Sequence, residues 1–272
     1  MFVMYKRRST RLLLLVFGCS IMCHADTMIK IHTVTTDSQP DANIANPSAA
    51  FMVQYRHGIM RRRDSLGAGG VPSFGEIANC ETKTGFQVDW GAHEYQNYKM
   101  VKFLSEGERG EYLRKTRRTA VQVESNTVDT GERKTLFGHS AKHLITTTKR
   151  EDASSPNAEE ILDGWYVDHE LPDRNCAPDF VRSEAYSVIG TALVDHPDLA
   201  EFHHSGPLPT GLPVKLRLTS KRAGKNGILR TITIEKTVED LSDSPLSPSL
   251  FELPKGLHEN PQLWEGHSGF TR

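Results

Sequence analysis

Nowhere does this 272-residue chain carry an apolar run long enough for a membrane-spanning helix. The longest, Leu12 to Phe17, reaches about a dozen residues even when extended to Cys23, against the roughly 20 that a spanning helix needs. That shortage excludes a polytopic membrane protein. Cysteine is scarce too: there are four, and Cys19 and Cys23 fall within the first 25 residues. Neither Cys80 nor Cys176 has a CxxC partner, which argues against a zinc site built on thiolates. No serine sits in a GxSxG elbow or three residues before a lysine, so the usual signatures of nucleophilic hydrolases are missing. Gly67, Gly69 and Gly70 lack the spacing and the strand-to-helix setting of a phosphate loop. An excess of positive charge is also absent. Without the first 25 residues, which hold four basic and no acidic side chains, Lys+Arg falls from 33 to 29 against 34 Asp+Glu, a net charge of −5. Such a balance argues against nucleic acid as a partner.

What the N-terminus does contain is ordered. Lys6, Arg7, Arg8 and Arg11 form a basic segment, Leu12–Phe17 an apolar core, and Cys23-His24-Ala25 offers a small residue ahead of Asp26. That is the layout of a secretory signal. It predicts an exported chain, periplasmic or associated with the outer membrane. Two processing routes stay open. One is cleavage after Ala25. The other uses Val16-Phe17-Gly18-Cys19 as an imperfect lipobox, which would lipidate Cys19 and give peripheral membrane association. The expected organisation is a signal peptide over 1–25, one β-rich domain over 26–258 and a tail over 259–272.

In an oxidising compartment, two remaining cysteines suggest one disulfide between Cys80 and Cys176. Closing that loop would stabilise the fold by roughly 4–5 kcal/mol on the chain-entropy view. Two separate thiols are the alternative.

Past residue 26 the chain reads as strand after strand. Met28–Thr35 and Phe51–His57 alternate, with Gly58 interrupting the second and Arg61–Arg63 continuing it as a charged face. Ile77–Cys80 and Phe86–Trp90 suggest a hairpin, and Glu94–Val101 a further strand. Asp129-Thr130-Gly131-Glu132 reads as a turn between Val121–Thr127 and Arg133–Phe137, and Gly138 as a bulge or bend before His139–Thr148. Ser154–Asp163 reads as a polar connection before a strand over Gly164–Leu171. Only Arg182–Val194 has convincing helical spacing, with Asp198–His204 adding a turn or two. Leu212–Lys221 and Ile228–Val238 are strands around a turn at Ala223–Gly227. Pro245–Pro254 is a helical turn followed by an extended piece. No internal repeat is present. The expected fold is mainly β: a curved antiparallel sheet or half-barrel with one or two helices on its concave face.

Several stretches carry a resemblance together. They are Asn79-Cys80-Glu81, Asp129–Lys134 leading into Leu136–His143, Asp163–Asp168, and Leu246–Gly256. With these the chain resembles uncharacterised secreted bacterial proteins and, more distantly, the outer-membrane lipoprotein carrier superfamily. The resemblance implies a half-barrel whose apolar concave face receives acyl chains.

Other candidate chemistry is weaker. His139 and His143 have i, i+4 spacing, but on a strand they stand roughly 13 Å apart, too far for one metal. His203-His204 reads as a helix end. Ser140 lies near Lys142 and His143 without facing both. Asp163 and Asp168 flank Trp165-Tyr166 as a conceivable carboxylate pair for glycoside hydrolysis. Arg61–Arg63 and Arg114–Arg118 read as solvated basic faces, with docking to an anionic partner as the minor alternative. Trp165 and Tyr166 point to opposite sides of a strand, one toward core and one toward a ligand.

The leading expectation is therefore a non-enzymatic envelope protein with no catalytic residues, metal or cofactor. It would bind a lipid or an acylated (lipoprotein) partner on the concave face, lined by Phe51, Val53, Tyr55, Phe86, Val88, Leu136, Ile145, Trp165, Val214, Leu216 and Ile232. Two alternatives stand beside it: an assembly module of the envelope with a filled interior, and a hydrolase of envelope polymers. Neither ligand identity nor oligomeric state is legible.

Overall fold

Alternating, β-branched segments dominate the chain, and they pair into one sheet. The computed structural model describes residues 26–39, 47–99, 106–116, 121–151, 158–169, 200–223 and 228–263. The protein is mainly β. Its strands are β1 (Thr27–Asp37), β2 (Ser48–His57), β3 (Met60–Leu66), β4 (Pro72–Asn79), β5 (Thr84–Asp89), β6 (Glu94–Lys99), β7 (Val121–Leu136), β8 (His139–Glu151), β9 (Ala158–Val167), β10 (Ala200–Ser205), β11 (Leu212–Ala223), β12 (Leu229–Ser242) and β13 (His258–Glu259). They lie in the order β10-β7-β8-β9-β11-β12-β1-β2-β3-β4-β5-β6-β13, open at both edges. Pairing is antiparallel except at those edges, where β10 runs parallel to β7 and β13 parallel to β6. Residues 259–263 stay tied to the sheet: Asn260 donates its backbone N–H to Tyr95 O at 2.8 Å, and Leu263 is buried.

The buried face of this sheet changes sides between β1 and β2. In β11, Leu212, Val214, Leu216 and Leu218 are buried while Lys215 and Arg217 are exposed. Register carries the Leu216 row through Gly164 to Leu144 on one side and through Lys236 to Thr33 on the other. Ile29 is buried on that same side of β1. Across the sheet from it, Val53 of β2 pairs with Lys30, so its side chain points the opposite way. Val53, Asp64 and Val88, joined in register through Gly75, are all buried on this second face, as is Ile77. The expected single concave face is thus replaced by two buried half-faces on opposite sides.

A bulge in β11 lets one row serve two clusters. Pairing with β9 shifts between Pro213 and Lys215. Leu212 and Val214 consequently pack with Val167, Ala141, Ile29 and Val238, while Leu216 and Leu218 pack with Tyr166 and Leu144. Val167 and Tyr166 point to opposite faces of their own strand, yet both find partners in the same row.

Several sequence expectations move. Gly58, at φ +54°, begins a hairpin turn with Ile59, so Arg61–Arg63 belong to a new antiparallel strand. Asp129–Glu132 keeps its turn chemistry, with Asp129 Oδ1 accepting from Gly131 N at 2.9 Å, but is an excursion inside β7. Both halves of β7 pair with β8, and the reversal falls at Phe137-Gly138, where φ is +52° and +79°. The segment read as a polar connection already runs as strand from Ala158, pairing with β8 and β11. Of the turn expected over Asp198–His204, the described part is not helical: the edge of β7 supplies hydrogen-bonding groups that turn Ala200–Ser205 into a strand. The expected helix over Arg182–Val194 and the turn at 224–227 lie outside the described residues. A helix the sequence did not suggest, α1 (Glu106–Thr116), buries none of its described side chains and so does not cap the sheet. Among the described residues no helix is long and apolar enough to cross a membrane.

Candidate functional site

Register sorts the eleven expected lining residues. Phe51, Val53, Tyr55, Phe86, Val88 and Ile145 share one face of the sheet and Leu216 and Ile232 lie on the other, while Leu136 and Trp165 pack against the cluster holding Val214 where β11 bulges. Burial divides them again. Val53, Val88, Val214 and Leu216 are buried in side-chain packing. Phe51 is 37% exposed, stacked on His32 with ring centroids 4.4 Å apart. Trp165 is stacked on His143 at 4.8 Å, with Lys134 Nζ 3.5 Å from its centroid. Its neighbour Tyr166 is core.

Among them, Phe86 borders an open recess. Phe86, Ile77 and Met60 form the apolar part of a recess of about 350 Å³, together with Gly85 and Tyr98. Asn79 is half-buried, and Thr84, Asn97 and Lys99 form an exposed polar rim. Met60, Ile77, Asn79, Thr84, Phe86, Asn97 and Lys99 sit on one face because β3, β4, β5 and β6 pair there without a register shift. Tyr95 meets Phe86 edge-on, with centroids 5.9 Å apart, and holds its ring. Gly85 is required: a Cβ there would lie 2.3 Å from Ile77 O and 2.8 Å from Tyr98 Cε1.

Two charged networks brace the strands beneath. On the recess face, Asp64 is 2% exposed and accepts from Arg62 Nε at 2.8 Å and Trp90 Nε1 at 3.1 Å. Burial pushes the Asp64 carboxyl up, with the Arg62 charge and the Arg62 and Trp90 hydrogen bonds opposing it. On the other face Glu76 accepts from Arg61 at 2.7 Å, from Arg63 Nε at 3.1 Å and from the Tyr98 hydroxyl. Burial alone would raise Glu76; the Arg63 and Arg61 charges and the hydrogen bonds from Tyr98 and Arg63 outweigh it and hold the carboxyl at about 2. The Tyr98 hydroxyl is driven well above the usual tyrosine range by burial and by Glu76. Arg61–Arg63 are therefore committed to internal carboxylates and do not form a free basic face. In α1, Lys115 pairs with Glu111; residues 117–118 lie outside the described residues.

At the far end of the sheet three chain-distant residues converge. His139 opens β8, His169 follows β9 and Asp243 follows β12. Their ligating atoms all lie within 4.8 Å of one another. No local spacing signals this group, because it forms only when three strand ends meet.

The remaining candidates separate. His139 and His143 have independent surroundings, His143 donating to Asp163 Oδ1 at 2.7 Å. Asp163 is thereby engaged, and it stands about 17 Å along the strand from Asp168 at the usual rise per residue, beyond the reach of a glycosidase pair. Lys142 donates to Thr210 at 2.7 Å and is not directed at Ser140. His203 and His204 border a polar cleft of about 550 Å³, where Ser125 Oγ lies 3.1 Å from His204 Nδ1. His204 Nε2 has no hydrogen-bond partner among the described residues, so no carboxylate orients the ring for a serine–histidine mechanism. Cys80 is buried; Cys176, Cys19 and the whole signal segment lie outside the described residues.

No known protein family matches the chain, and no curated protein matches it. Among solved structures it is similar to an uncharacterized conserved protein from Thermus thermophilus, with 6% identity, a TM-score of 0.37, and coverage of 88% of this chain and 91% of that one.

Proposed function

We propose that the protein is an exported, non-enzymatic binding module of the cell envelope, which seats the apolar part of an amphiphile in the recess bounded by β3 and β6. The observation that carries this reading is the chemistry of the recess. Ile77, Phe86 and Met60 offer apolar surface, and Lys99, Asn97 and Thr84 stand at the exposed rim. A volume of about 350 Å³ falls at the small end of ligand sites, roughly 300–1,000 Å³. Hydrocarbon entering it gains roughly 0.8 kcal/mol per CH₂ removed from water. Lys99 supplies a cation for an anionic head. In this reading the protein works as the lipoprotein carriers do in receiving an acyl group, but at a small seat on the β3–β6 half of the sheet.

The filled packing around Val53, Val88, Val214 and Leu216 supports a second reading, an assembly module that holds no ligand. Full-length protein purified from its native envelope separates the two. Mass spectrometry of extracted small molecules is expected to find an acyl-bearing amphiphile with the wild type and not with Phe86→Glu. Nothing above background from the wild type would select the assembly module.

A further inference from the structure

We propose that His139, His169 and Asp243 form a binding site for a divalent first-row transition ion of the zinc class. The three come from separate strand ends and present two imidazoles and one carboxylate, a donor set suited to such ions. His169 Nε2 lies 3.6 Å from Asp243 Oδ1, close to the roughly 3.4 Å that separates neighbouring ligands around tetrahedral zinc. The His139 and His169 rings meet edge to face with centroids 5.1 Å apart. All ligating atoms fall within 4.8 Å of one another.

Burial and access are divided in the way a metal site requires. His169 is 8% exposed, whereas the Asp243 side chain is 45% exposed, so the group is reached by solvent from the Asp243 side. Thr27 Oγ1 lies 3.4 Å from His169 Nε2 and is buried; this is the nitrogen that faces Asp243, so a bound ion would replace that contact. Bound there, the ion would tie the ends of β8, β9 and β12 together beside the start of β1. The site is remote in sequence from the recess and does not depend on its occupancy.

Isothermal titration of the full chain with Zn²⁺ tests this, with Co²⁺ absorption as a second readout of coordination. One Zn²⁺ per chain is expected, with affinity weakened at least tenfold in His139→Ala and in Asp243→Asn. The Co²⁺ complex of the wild type should show visible bands that both variants lose. His143→Ala, which removes a histidine bound to Asp163, serves as the control and should leave binding unchanged. Binding that is absent in the wild type, or that survives unchanged in the His139→Ala, Asp243→Asn double variant, would overturn the proposal. The double variant avoids the buried His169, so loss of binding is not confounded by loss of fold.

Discussion

Glu76 shows how a single carboxylate couples two strands to pH. Its neighbours hold it at about 2, below the 4.5 of a free glutamate, so it adds stability that is fully present above pH 4.5. That contribution is lost as pH falls through about 2, and the shift is worth on the order of 3 kcal/mol. Asp64, on the opposite face, is shifted upward, so acid relieves a penalty there. Urea unfolding of the wild type should therefore weaken across pH 4.5 to 2, and Glu76→Gln should flatten that decline while lowering stability at neutral pH. An identical acid profile in the variant would remove Glu76 from the account. None of this was legible in sequence. Arg61–Arg63 read as a basic run because neither the reversal at Gly58 nor the pairing of Arg63 with Glu76 is a local property.

At the scale of elements, alternation was a good guide to strands and a poor guide to where they turn. Leu212–Leu218 is the clearest case: its apolar residues alternate in the sequence and all four are buried. The two glycine turns of the β7–β8 region exchanged roles, since Gly131 and Gly138 both carry positive φ and only long-range pairing distinguishes an excursion from a reversal. The true reversal places Phe137, an exposed aromatic, at φ +52°, a conformation that costs an ordinary L-residue roughly 1–2 kcal/mol. Asn-Gly is the preferred pair for such a two-residue turn. Phe137→Asn should raise stability by about 1 kcal/mol, seen as a higher urea midpoint with an unchanged m-value. A lower midpoint would mean that Phe137 contributes packing that outweighs its backbone strain.

Over the whole molecule, composition identified a mainly β chain, while the side on which each half-sheet is buried stayed hidden. Alternation reveals that a strand has an apolar face. It does not reveal whether that face continues across the neighbouring strand, which is why Phe86 and Leu216 were grouped together although register sets them on opposite sides. The His139–His169–Asp243 group escaped notice for the same reason: its members are scattered over three strand ends. The disulfide proposed between Cys80 and Cys176 would fasten the β4 end to a distant segment. Intact mass of the protein after alkylation should show Cys80 and Cys176 protected until reduction, and Cys80→Ser should lower the melting temperature. Two alkylated cysteines without reductant would exclude the bridge.

The most direct test of the binding account is a titration of the isotope-labelled protein with decanoate, followed by amide NMR shifts. Saturable changes confined to the recess, at Met60, Ile77, Phe86, Asn97 and Lys99, are the predicted result. No saturable change, or changes centred away from the recess on Phe51 of β2 and Trp165 of β9, would contradict it.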